Sequence, residues 1–239
     1  MSLLEKILLS LATAIAVTGT IISHVAPSYF AERFVVEDGF IEWLTVIALV
    51  ASAVLMLTRA WTLKGVRSPL FLSVTVMAAA VFLFGAGEEI SWGQRIFSVE
   101  TPEWLEARNK QKEMNLHNLV IGGHSINKLV FSKLLGVVLL LYLIVLPAIC
   151  RKHPRWDGLV NRAGIPLPRN WHVVVWILVI LLSEFAVGTS KRGELREVLL
   201  TLVLFVQLLR PLNGWIYDRE RNLLSDGKDL ESGGEAKAG

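Results

Sequence analysis

The chain is 239 residues long, 53% hydrophobic and 19% charged, and its mean hydropathy is positive, which excludes an ordinary soluble domain. Its formal charge of +3 comes from basic loops and is no nucleic-acid signal. The single cysteine, Cys150, excludes an intrachain disulfide and a cysteine-rich zinc site.

The hydrophobic residues are blocked into long runs. A helix needs about 20 mostly apolar residues to cross the hydrocarbon core. Six stretches approach that length: Ile7–Val25, Phe40–Leu57, Pro69–Gly87, Leu129–Ile149, Val173–Val187 and Leu195–Leu209. Backbone exposed to lipid must satisfy its own hydrogen bonds, so each run is expected to be a helix. The expected fold is an all-α polytopic membrane bundle. Six transmembrane helices occupy residues 1–224, and a disordered cytoplasmic tail follows at 225–239, where no apolar run occurs.

The first run has Lys6 before it, as a signal peptide would. Its core is longer than such peptides use, no A-x-A site follows, and Pro27 disfavours cleavage, so an uncleaved first span is expected. The next connection is acid-rich, with Glu32, Glu37 and Asp38 against Arg33, and ends in EDGFIEW. Asp38 and Glu42 are four apart and can share a helix face. Acids there suit a helix N-terminus by the dipole alone. Glu42 is harder to explain so, because apolar residues follow it at once. The second span leads into Arg59, Lys64 and Arg67 with no acid.

The third span carries small residues, Ala78 to Ala80, Gly85 and Gly87, which let helices approach closely. Then comes the stretch on which the chain turns, GAGEEISWGQRIFSVETPEWLEARNKQKEMNLHNLVIGGH, residues 85–124. Glu88 and Trp92 are four apart, so carboxylate and indole can meet, while Glu89 points about 100° round. Gln94 and Arg95 add an amide and a counter-ion. Thr101-Pro102-Glu103 reads as a helix start with Thr101 as N-cap. Trp104, Leu105 and Ala107 give that short helix an apolar side, so it is expected to lie in the interface as a cover within an outer loop, 88–126. From Asn109 to His117 every second residue is an amide, an acid or an imidazole: Asn109, Gln111, Glu113, Asn115, His117. As a strand these line one side, and as a helix Glu113 and His117 share a face. Gly122-Gly123 supplies a bend, His124 follows, and Lys133 lies near the start of the fourth span.

The connection 150–170 carries Arg151, Lys152, Arg155, Arg162 and Arg169 against Asp157 and reads as an ordinary cytoplasmic link. Span five carries Glu184 near its end among apolar neighbours. It is expected to face the bundle and to approach the acidic cluster or Lys133. Span six opens with Glu194 and Glu197, which share a face. By the positive-inside rule the two basic connections are cytoplasmic, both termini lie inside, and the acids and histidines gather at the outer face. No internal repeat supports an inverted-repeat transporter.

An ionisable group within a membrane is a functional hypothesis by default. Carboxylate with imidazole suits zinc or iron, and the expected ligands are His117, His124, Glu113 and Glu89. Glu89 and Glu42 are the candidate general bases, supported by Glu88, Asp38, Trp92, Gln94, Arg95, Asn115 and Glu184. Their spacing matches neither the Glu-x-x-His of di-iron bundles nor H-E-x-x-H. A hydrogen-bonded network that only holds the loop, and proton conduction through the carboxylates, stand beside the metal.

GEEISWGQRIF, TPEWL and NKQKEMNLHNL, with EDGFIEWLT upstream, resemble the hallmark of a family of uncharacterised bacterial integral membrane proteins. The resemblance covers residues 37–119, and elsewhere it rests on hydropathy. It implies a bacterial cytoplasmic (inner) membrane and supplies no catalytic roles. Intramembrane metallohydrolases of the alkaline ceramidase type also gather acids and histidines at one membrane face. This chain lacks their full histidine set and one span, so their activity is not carried over. The resulting expectation is a metal-assisted hydrolase or transferase acting on a lipid or lipid-linked substrate. The alternatives are a scaffold that docks a periplasmic partner and a proton-coupled carrier.

Overall fold

A computed structural model describes residues 1–122, 124–126, 130 and 133–224. The chain is 74% helical. The elements run α1 (Leu3–Val25), α2 (Pro27–Tyr29) continuing into a π-helical turn at Phe30–Phe34, α3 (Phe40–Thr62), α4 (Pro69–Glu89), a 3-10 turn at Ser91–Gly93, α5 (Gln94–Phe97) and α6 (Glu103–Glu106). A two-residue hairpin, β1 (Val120–Ile121) with β2 (His124–Ser125), follows. Then come α7 (Leu135–Leu140), α8 (Leu146–Lys152), α9 (Pro154–Arg162), α10 (Asn170–Leu181) and α11 (Arg192–Leu209). A π-helical turn, Leu141–Val145, joins α7 to α8, and another, Leu182–Ala186, ends α10.

Local chemistry sets the helix starts. Ser2 caps α1 by accepting from the Glu5 amide at 3.2 Å, and Glu5 returns to the Ser2 amide. Ser68 caps α4 by accepting from Phe71 N at 3.3 Å, with Pro69 as the first helical residue. Inside the bundle, the Ser52 and Thr75 hydroxyls donate to carbonyls four residues back, both at 2.7 Å, which satisfies these two buried groups.

Among the described residues, four helices are long and apolar enough to cross a membrane: Leu3–Val25, Phe40–Thr62, Pro69–Glu89 and Leu135–Lys152. The fifth expected stretch forms a shorter apolar helix, Asn170–Ala186, and the sixth, α11, carries four charged residues in its first six positions. These helices make the chain a helical membrane protein. Gly123 of the expected bend, residues 127–128, the start of the fourth stretch at 129 and 131–132, and the tail from 225 lie outside the described residues.

Helix α3 packs on α4, and α11 lies between α3 and α1 while also touching α10. Gly19 makes the α1–α11 approach possible, because a Cβ there would lie 2.9 Å from Leu195. The main core joins Ala12, Ile15, Ile41, Ala48, Leu195, Val198 and Leu202 from α1, α3 and α11. At one end of the bundle His24 Nε2 meets Ala186 O at 2.7 Å, joining the end of α1 to that of α10. At the opposite end Arg59 donates to Leu208 O at 2.7 Å, and Arg210 lies 3.5 Å from buried Glu5. The end of α1, the start of α3, the end of α4 and the start of α11 therefore share one pole, where the polar loop also sits.

Candidate carboxylate site beneath a polar cover

The chain leaves α4 through three consecutive left-handed residues, Ser91 (φ 47), Trp92 (φ 56) and Gly93 (φ 76). Left-handed backbone costs a non-glycine residue about 1–2 kcal/mol, so something must hold this turn. Glu88 does. Its Oε1 accepts from Trp92 Nε1 at 2.8 Å. Its Oε2 accepts from the amides of Leu116 and His117 at 2.7 and 2.9 Å and lies 3.5 Å from His117 Nδ1. The turn folds the indole back over Gly87, where a Cβ would come within 2.9 Å of the ring. The Glu88–Trp92 meeting expected from their spacing is present, made through this turn.

The segment Asn109–His117 is neither the strand nor the helix expected. Asn109 Oδ1 accepts from the amides of Gln111 and Glu113, and Asn109 Nδ2 donates to the backbone and side-chain oxygens of Asn115 at 2.9 Å. These local side-chain bonds curl the segment, and Asn109 bridges to Leu119 to close it as a loop. Glu113 and His117 consequently part. Glu113 accepts from Ser91 Oγ at 2.7 Å, from Asn115 Nδ2 at 2.8 Å, and from Arg95. The side chain of Thr101 does not cap α6, which starts at Glu103 after Pro102. Its hydroxyl accepts from Gln94 Nε2 at 2.5 Å and donates to Lys112 O at 2.7 Å, while Gln94 Oε1 takes the Met114 amide. The network employs Thr101 where a cap was expected. Residues 91–119 thus form a cover whose polar groups bond mostly to one another.

Arg95 fastens this cover to α3. Its Nε lies 2.6 Å from Asp38 Oδ2, its Nη2 lies 3.7 Å from Glu42 Oε1, and its Nη1 pairs with Glu113. Burial opposes the charge on Arg95, but the carboxylates of Glu113 and Asp38 outweigh it and hold the guanidinium above its ordinary range. Glu42 Oε2 also accepts from the Asp38 amide at 2.9 Å. A second tie runs from Gln111 to Glu37.

Beside the cover, Glu42 of α3, Glu89 of α4, and Glu194 and Glu197 of α11 line one cavity with Val35, Val36, Ile41 and Thr45. Its volume is about 10 Å³, room for about one water. Among the described residues, the carboxylates of Glu89, Glu194 and Glu197 make no hydrogen bond or ion pair. His117 lies within electrostatic reach of Glu194 and Glu197. In the sequence, Glu194 and Glu197 were visible only as acids sharing a helix face. Thr45, and Ser91 in the cover, carried no sequence signal.

The four residues expected to share a metal take different partners. Glu113 is committed to Arg95, Ser91 and Asn115, and His117 lies beside Glu88. His124 is exposed on β2, and Glu89 lines the cavity. Among the described residues no group of three or more His, Cys, Asp or Glu side chains is placed to hold a metal ion. That donor set does not fit zinc or iron as expected. Glu184 pairs at 2.8 Å with Arg192 and at 3.4 Å with Arg196, both on α11, instead of joining the acidic cluster or Lys133. The π-helical turn that carries it aims it at the start of α11.

Fold and site together define a helical membrane protein with an acidic cavity beside a hydrogen-bonded cover. No family profile, curated protein or solved structure matches the chain.

Proposed function

We propose that the acidic cavity binds and releases a proton and that the protein is a proton-coupled carrier. It would cross a bacterial inner membrane six times, with α10 and α11 as the last two spans, both termini in the cytoplasm and the cover outside. The observation that carries this reading is the convergence of Glu42, Glu89, Glu194 and Glu197 on one cavity, with three of them unpaired among the described residues. Four like charges at close range repel, and a bound cation relieves them. Room for about one water suits a proton and leaves none for a lipid headgroup. The basic connections at the opposite pole support the orientation, and the resemblance of residues 37–119 supports the bacterial membrane.

The test is proton flux. Purified protein in liposomes should dissipate an imposed pH gradient, and Glu89→Gln or Glu197→Gln should abolish that flux while the protein remains folded. Wild-type liposomes no leakier than empty ones would end the carrier reading. The second reading, a metal-assisted hydrolase or transferase on a lipid or lipid-linked substrate, draws only on His117 lying within electrostatic reach of Glu194 and Glu197. Stoichiometric zinc or iron in the purified protein, lost on His117→Ala, would favour it. Absence of both flux and metal would leave a scaffold that docks a periplasmic partner.

A further inference from the structure

The connection 150–170, expected to be an ordinary link, contains a helix with two distinct sides. Helix α9 buries Val160 and Asn161 against Cys150, Leu167 and their neighbours. Asn213 fixes that side by donating to Asn161 Oδ1 at 2.8 Å, and Asn161 donates to Asp157 at 2.9 Å. The opposite side carries Arg162, Arg155, Leu159 and Trp156 in adjacent sectors of the helical wheel. Trp156 and Leu159 are each 51% exposed. Arg151 and Lys152, exposed in the last turn of α8, extend the basic side.

Position decides what can cover this face. The apolar helix Leu135–Lys152 is long enough to cross a membrane, and only His153 separates it from α9. A nine-residue helix tied so closely to the end of a span must lie near the bilayer boundary. Upstream, Ile144 and Val145 are exposed as lipid-facing residues would be. A helix with Trp and Leu beside Arg is the pattern that rests in the headgroup region and draws anionic lipid. Asp157, the acid of α9, is already bonded to Asn161.

We infer that α9 is a docking helix for the anionic phospholipids of the bilayer. Arg155 and Arg162, with Arg151 and Lys152, take headgroup phosphates, and Trp156 and Leu159 enter the acyl boundary. The full chain would be reconstituted in phosphatidylcholine containing brominated phosphatidylcholine or brominated phosphatidylglycerol. The quenching due to Trp156 is the difference between wild type and Trp156→Phe. Brominated phosphatidylglycerol should quench that share more strongly at equal mole fraction. Replacing Arg155 and Arg162 by Gln should lower the preference by about fivefold for each charge removed, while quenching by brominated phosphatidylcholine persists. Circular dichroism and light scattering would confirm that each variant keeps its helicity and mass. Equal quenching by the two lipids would overturn the inference. So would no Trp156 share at all, whether because the indole stands in water or because a second copy of the chain covers it. None of these readouts depends on proton flux.

Discussion

Glu88 is 2% exposed, and its carboxylate receives an indole N–H and two backbone amides while an imidazole stands 3.5 Å away. A carboxylate answered in this way is a tether. Glu88→Gln keeps the shape but turns a donor toward some of those donors. It should cost about 2–3 kcal/mol, read as a lower unfolding midpoint with faster hydrogen exchange at the amides of Leu116 and His117. Unchanged exchange at those amides would show that the tether is idle. Tyr217, near the opposite pole, offers a pH test. Its hydroxyl donates to Gly164 O at 2.6 Å, and burial pushes the phenol up to about 12. In the unfolded chain a tyrosine loses its proton near pH 10, so above that pH the unfolded state binds fewer protons and stability falls as pH rises. The fall should continue to about pH 12 and be shallower in Tyr217→Phe, as measured by denaturant unfolding at stepped pH. Residue-scale legibility was uneven for a physical reason. The Glu88–Trp92 pair was readable because local spacing brings the two side chains together, whereas the attachment of Glu88 to Leu116 and His117 depends on a loop closure that no periodicity reports.

At the scale of elements, the cover is one unit with two unequal attachments. It is bonded to the end of α4 through Glu88 and the left-handed turn, and held to the start of α3 and the turn before it through Arg95 and Gln111. Arg95 faces three carboxylates, and removing its charge leaves Asp38, Glu42 and Glu113 repelling one another. Arg95→Gln should therefore release the cover from α3 without unfolding the bundle. Limited proteolysis between residues 95 and 119 should quicken while the helical circular dichroism stays constant. Protection equal to wild type would show that the other contacts suffice. The expected short helix in the outer loop is present as α6, although Thr101 does not cap it. The alternation from Asn109 to His117 misled because it was read as a period-2 or helical pattern. The same amides and acids satisfy their own backbone, and such local bonds compete with regular structure.

For the molecule as a whole, the apolar blocks were legible because bilayer thickness imposes a length on any spanning helix. The last two were less so. The helix Asn170–Ala186 is short, and α11 opens on charges that serve the cavity and the Glu184 pairs. Topology can be tested at the two poles. Cys150 is buried and makes a poor reporter. In a Cys150→Ser background, Lys64→Cys and Glu103→Cys place exposed thiols at opposite poles. An impermeant thiol reagent should label the Glu103→Cys protein in intact cells and the Lys64→Cys protein only after permeabilisation. The reverse pattern would turn the proposed orientation over.

The place of α11 in the chain has a consequence for biosynthesis. The ties that hold the cover to α3 and α4 all lie within residues 37–119. Half of the acids around the cavity arrive with α11, which slots between helices made at the very start. At translation speeds of about 5–20 residues per second, on the order of ten seconds separates the completion of the cover from the emergence of Leu209. A nascent chain can thus have its cover fastened while the neighbouring cavity still lacks a wall. No shortened product ending before Arg192 can carry the complete site, so α11 sets the moment at which the site becomes complete.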